Sequence, residues 1–469
     1  LAVSQPWHED GMNRRLLILL AALTLFSLPL SARAGGAIKT DILGFPLHWE
    51  TALSFNPDKG SLKDGIFSHE ESVQIIQDAF NTWVNVLGSG GGLAVSQGAN
   101  IPFDGDDVNG SNYGEFLRQE ATVGCYDSDP GTECLTPIIF DEDGEILDSL
   151  FGECSKFSIL GFAGPDDVED GSGDPGLRIL KRGQALFSGA CLPDGGGQTE
   201  TKAGCGVCRR PLTGEEIRTI ITHEVGHLLG MDHSQVNPDS FQLCTGPEGC
   251  SQELAQDIPT MFPILVNRAA MLDLHRDDEA YFQRLYGSVA DTCSVKGTVF
   301  ASDGATEVRG VEVVARNVDP ALGKTDALAF VSGAESPRVN AIGKSQGNCQ
   351  GRCGEYFITG LKDGASYQLC AQKILSPFTG GSSIEPVDPP FQAFTNVCPE
   401  GLTVSCTCTD GFCQSFEGMM ITTDANPAAV AQQEEPNQIQ EGPTVDEASG
   451  GCALAKPRTG TWNKLTEPQ

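Results

Sequence analysis

Two stretches of this chain repeat apolar residues at helical spacing, and each begins behind a capping box. Val73, Ile76, Phe80, Trp83 and Val84 follow Ser68, which has Glu71 three residues on. Ile217, Ile220, Ile221, Val225 and Leu228 follow Thr213 in the same way, with Glu216 at the matching offset. Short apolar runs at 52–55, 137–140 and 157–162 read as strands, separated by stretches rich in Gly and Asp. Beyond Gly287 the period changes to two. Residues 295–299, 310–315, 354–361 and 367–369 alternate between glycine turns and predict a small β-sandwich. The pattern as a whole predicts an α+β chain: a twisted sheet with long helices, followed by an all-β unit.

The ends of the chain carry other signals. Arg14 and Arg15 precede an apolar run over 16–30, which is shorter than the ~20 residues of a spanning helix. Ala32-Arg33-Ala34 then offers a small-residue cleavage site, so residues 1–34 read as a signal peptide region with its true start at Met12. The mature chain is expected to lack a transmembrane segment and to be secreted or associated with a bacterial cell surface. Seventeen cysteines suit such an oxidising compartment. Cys205 and Cys208 read as disulfide partners rather than a redox pair, Cys244 and Cys250 as the closure of a small loop. The odd count leaves one unpaired, for which Cys452 is the candidate. Residues 396–423 are cysteine-dense, and 424–469 have the Pro, Gln and Glu content of a disordered tail.

Acids outnumber bases 63 to 30, a net charge of -33. That balance argues against nucleic acid and anionic membranes as partners. It suits a secreted, calcium-binding or saline-adapted protein, and equally a chain whose acids only keep it soluble.

The chemistry concentrates in one segment, His223-Glu224-Val225-Gly226-His227-Leu228-Leu229-Gly230-Met231-Asp232-His233. Residues four apart share a helix face, so His223 and His227 can present imidazoles to one metal ion. Gly230 permits a left-handed turn that returns His233 as a third nitrogen ligand. Three protein ligands leave a position open, as in catalytic rather than structural zinc sites. Glu224, beside the first ligand, is placed to act on a water at that position.

This motif resembles the signature of metzincin zinc proteases, and Ser234 directly after the third histidine is similar to the matrixin branch. Met261, between Pro259 and Pro263, matches the methionine turn of that family, and residues 274–287 are similar to the closing helix of matrixin catalytic domains. The resemblance implies a metzincin-type protease domain over 35–288, Zn2+ on His223, His227 and His233, Glu224 as general base, and protein or peptide substrates. Two features depart from the family. No histidine lies between Gly88 and Thr222 to ligate a second zinc, and no cysteine-bearing propeptide follows the signal region. The segment 289–395 resembles the carboxypeptidase regulatory-like β-sandwich module. No oligomeric state is implied.

Ca2+ has one candidate site. Asp141, Asp143 and Asp148 place carboxylates around a turn glycine as in the middle of an EF-hand loop, although Ile139 and Leu150 replace its end ligands. Asp104, Asp106 and Asp107 are further acidic candidates. The reading is a secreted zinc endopeptidase, with a catalytically silent metzincin acting in surface adhesion or binding as the alternative. Because the β-sandwich lends no residue to the motif, a chain ending near Ser288 is expected to fold and cleave small peptides by itself.

Overall fold

The computed structural model describes residues 36–422 apart from 42, 89–90, 102–106, 118–134, 171–177, 195–196, 198, 200, 203–204, 209–210, 245–249, 265–268, 288–290, 302, 337–350, 375–397 and 410–411. The signal region, the tail with Cys452, and Asp104 and Asp106 lie outside the described residues.

The first half is an α+β layer structure. Strands β1 (Ala52–Pro57), β2 (Ala94–Gln97), β3 (Pro137–Asp141), β4 (Gly161–Asp170) and β5 (Arg178–Ser188) form one sheet in the order β2-β1-β3-β5-β4. All neighbours are parallel except β4, which runs antiparallel to β5 at the edge. Helix α1 (His69–Asn85) begins on the Ser68–Glu71 capping box that the sequence predicts. After the short helix α2 (Glu145–Phe151) and a two-stranded ladder of β6 (Thr201–Lys202) and β7 (Gly206–Val207), helix α3 (Gly214–Leu228) begins on the Thr213–Glu216 box.

Strand alternation divides the core in two. Ile138 and Phe140 of β3 face one cluster with Phe80 and Trp83 of α1 and Ile221 and Val225 of α3. Ile139 faces the other way, onto Ile146 and Leu147 of α2. Both long helices therefore sit on one face of the sheet, which brings α3 alongside β4 and β5. Helices α4 (Pro238–Cys244), α5 (Gln252–Gln256) and α6 (Arg276–Tyr286) follow. No helix among the described residues is long and apolar enough to cross a membrane.

The second half is all β. Strands β8 (Thr292–Phe300), β9 (Val311–Asn317), β10 (Ala327–Val331), β11 (Glu355–Lys362), β12 (Ser366–Lys373) and β13 (Thr403–Ser405) precede a small hairpin of β14 (Cys408–Thr409) and β15 (Phe412–Cys413), then β16 (Ser415–Thr422). They build a sheet β10-β9-β12-β13 and a sheet β11-β8-β16, with one shared core that includes Val295, Val313, Phe330, Ile358 and Leu369. The cysteine-dense segment is thus woven into both sheets, through β13 on β12 and β16 on β8. Disulfide Cys293–Cys406 ties it to the first strand of the unit.

This unit does not stand apart from the first half. On α6, Arg284 pairs with Glu335 and lies over the rings of Phe330 and Phe357, while Arg276 donates to the carbonyl of Gly360 at 2.6 Å. Ala280 of the same helix belongs to the β core. The loop before β10 reaches back, and Lys324 accepts from His275 and Asn237 through its carbonyl at 3.0 and 2.9 Å. Such contacts run against the expectation that residues up to 288 fold by themselves. The sequence pattern showed the inward faces of these strands, and the outward faces of β9 and β10 proved to be largely buried too.

Candidate metal centre

Helix α3 carries two of the three histidines, and its end delivers the third. Gly230 adopts φ +91°, the left-handed conformation anticipated for the turn. The Gly230 and Met231 amides close that turn on the carbonyls of His227 and Gly226, both at 2.9 Å. His233 emerges facing the helix, and its Nε2 lies 3.2 Å from Nε2 of His223 and 3.1 Å from Nε2 of His227.

The tautomers follow from the other ring nitrogens. His223 Nδ1 lies 2.7 Å from the Thr260 carbonyl, and His227 Nδ1 2.9 Å from the Met231 carbonyl. A carbonyl can only accept, so both Nδ1 atoms donate and both Nε2 atoms carry bare lone pairs. Burial lowers both pKa values from the ordinary 6.5, to about 4 for His223 and about 3 for His227. The rings are therefore neutral at pH 7 and able to ligate. The two bare lone pairs meet Nε2 of His233 within 3.2 Å, a convergence of ring nitrogens that one shared cation would satisfy. Tetrahedral Zn–N bonds of ~2.0–2.1 Å place ligand nitrogens about 3.3 Å apart, so the donor set fits zinc.

Met261 lies under the site, fully buried. A Cβ on Gly226 would come within 2.4 Å of its sulfur and 2.7 Å of Trp83 Cζ2, so the helix can approach the turn only through a glycine. The Ser234 amide donates to the Met261 carbonyl at 2.9 Å, joining the third-ligand loop to the methionine segment. Glu224 is buried on α3 beside His223, against the start of β4: a Cβ on Gly161 would stand 3.6 Å from Glu224 Cγ.

The acids that open α6 have a role that the likeness of 274–287 to a closing helix did not reveal. The Asp278 carboxylate accepts from the amides of Thr260 (2.8 Å), Met261 (3.2 Å) and His275 (3.0 Å). It holds the segment whose Thr260 carbonyl orients His223. Asp277 accepts from Ser234 Oγ at 2.6 Å and from the Ala329 amide of β10 at 2.5 Å. Burial raises the pKa of both, Asp277 to about 6 and Asp278 to about 8. The signal available was the doublet itself, since one carboxylate is enough for a first turn.

The candidate calcium ligands are not brought together. Asp141 is buried and accepts from the Ile146 and Leu147 amides, which caps α2. Asp143 accepts from the Glu145 amide and Asp148 from the Lys156 amide. Each carboxylate serves a local turn, and among the described residues the three do not form a cluster with ligand spacing. A second convergence of metal-type donors does exist, at Cys293, Cys406 and Cys408. All three are in disulfides, Cys293–Cys406 and Cys408–Cys413, so they offer no thiolate. The Cys205 and Cys208 expectation holds, with bonds to Cys154 and Cys191, and Cys244 pairs with Cys250.

No protein-family model matches the chain, and no curated protein matches it. The site itself defines the class: an α+β protein with a buried three-histidine centre able to hold a metal ion.

Proposed function

We propose that the protein is a secreted, zinc-dependent endopeptidase of the metzincin type, similar to matrixins, with an accessory unit like the carboxypeptidase regulatory-like sandwich. The observation that carries this reading is the convergence of three imidazole Nε2 atoms beside Glu224. A zinc ion on His223, His227 and His233 would supply Lewis acidity toward a peptide carbonyl and a water. Glu224 takes the proton of the attacking water and then delivers it to the leaving amine. Its burial keeps bulk water from competing for that proton.

An extended peptide has a place to bind. Strand β4 is the sheet edge beside α3, and its outer side has no strand partner among the described residues. Backbone pairing along that edge would lay a substrate past Glu224. The disulfides suit the expected extracellular address.

The alternative is a silent metzincin that serves adhesion. The complete histidine triad and the retained Glu224 favour the enzyme. Zinc-loaded protein should cleave members of a mixed peptide library, stop on addition of chelator, and slow by on the order of 10²–10⁴ in Glu224→Gln with metal content unchanged. Zinc-loaded protein that cleaves nothing would move the reading to the binding alternative.

A further inference from the structure

His233 is the one ligand not carried by the helix, and the residues after it are gripped by the second half of the chain. The outward face of sheet β10-β9-β12 makes this grip. Along β9, Val311, Val313 and Ala315 enter the β core, while Val314 packs with Val236 and Ala327 in a separate cluster. Glu312 and Arg316 share that outward face by alternation.

Residues 235–237 each have a partner from this unit, and Ser234 is linked to it through α6. Ser234 is held through Asp277, whose other oxygen takes the β10 amide of Ala329. The Gln235 amide donates to Glu312 at 3.2 Å, and its carbonyl accepts from Gln372 Nε2 at 3.4 Å. Gln372 stands opposite Glu312 in the β9–β12 register and donates to its second oxygen. Val236 is fully buried against Val314 and Ala327. The Asn237 side chain accepts from Arg316 and donates to the Lys324 carbonyl.

Burying a carboxylate and an amide, and half-burying a guanidinium, on the outside of a sheet is costly unless every group is met. Here these groups are met by the ligand loop or by one another. Apolar residues would cover a loop more cheaply but would not fix its register. We propose that sheet β10-β9-β12 is a positioning arm of the metal centre, in which Glu312, Gln372 and Arg316 hold 234–237 so that His233 stays aligned with His223 and His227.

The inference rests on the metal-centre reading, and the experiment separates the two. Full-length wild-type protein, Glu312→Ala and Gln372→Ala are loaded with Zn2+, and metal release into excess chelator is timed well below each melting temperature. Ser332→Ala serves as control. That hydroxyl is buried in the same unit, bonding Val308 and Val311, and has no contact with the ligand loop. Both loop-holding variants should release zinc roughly 10-fold faster or more, the scale on which groups that orient a ligand act. Ser332→Ala should lower the melting temperature and leave release unchanged. In Co2+-loaded protein the visible bands should shift in Glu312→Ala and stay in place in the control. If Glu312→Ala does not fold, Gln372→Ala, which leaves the Gln235–Glu312 bond, carries the comparison. Wild-type protein that takes up zinc while the variants release it at the wild-type rate overturns the positioning arm alone. Wild-type protein that takes up no metal overturns the metal centre and the arm with it.

Discussion

Ending the chain at Ser288 removes the two-sheet unit and leaves every residue of the histidine motif in place. Its effect can be worked from the contacts that vanish. Val236 loses the side chains that bury it, worth ~1.5–3 kcal/mol for a residue of that size. Ala280 returns a methyl group to water, worth ~0.8 kcal/mol. Among the hydrogen bonds to the first half that disappear, five, at Gln235, Asn237, His275, Arg276 and Asp277, contribute ~0.5–1.5 kcal/mol each. Together these amount to about 5–11 kcal/mol before Arg284 and Glu335 are counted. A domain is stable by only ~5–15 kcal/mol, so the short chain sits at or near its unfolding threshold. Both lengths should be expressed in parallel and compared for soluble yield, thermal melting and zinc uptake. The short chain is expected to aggregate, or to melt many degrees lower with little bound zinc. A short chain that is soluble and melts cooperatively within a few degrees of the full one would refute the reasoning.

Two further outcomes are expected. Gly226→Ala places a methyl where Met261 sulfur and Trp83 leave no room, so overpacking should lower stability by ~1–3 kcal/mol and loosen zinc, read as an earlier denaturant midpoint and faster metal release. The metal-free chain should lose stability as pH rises from 6.5 to 8. Folded Asp278 and Glu312 hold protons up to about 8 and about 7, whereas the unfolded chain has released them near 3.8 and 4.5. The buried histidines act with opposite sign, but their unfolded value is 6.5, so their contribution is largely complete above it. A melting temperature that climbs from pH 6.5 to 8 would contradict this assignment.

The metal centre was the most legible part of the sequence because its chemistry is local. His223, His227, Gly230 and His233 are fixed relative to one another by helix pitch and one turn. Both capping boxes were legible for the same reason. Met261 needed the resemblance to be noticed, since a lone methionine carries no geometric signal. Asp277 and Asp278 stand at a helix start and, beyond the doublet itself, carry no local signal of their role, since their partners Ser234, Thr260 and Ala329 lie 18–52 residues away. The outward face of β9 was the least legible. Glu312 and Arg316 look like solvent-facing residues of an alternating strand, and nothing local says that a ligand loop covers them. The acidic turn at 141–148 misled in the opposite sense, because carboxylates that cap a short helix have the spacing of a cation loop.

The central claim is that three imidazoles form one zinc site. X-ray absorption at the zinc edge of the zinc-loaded full-length protein tests it most directly. The account predicts one zinc per chain, with nitrogen scatterers at ~2.0–2.1 Å, the multiple-scattering signature of three imidazoles, and a light oxygen donor in the remaining position. A sulfur shell at ~2.3 Å, or protein that emerges from loading without stoichiometric zinc, would contradict it.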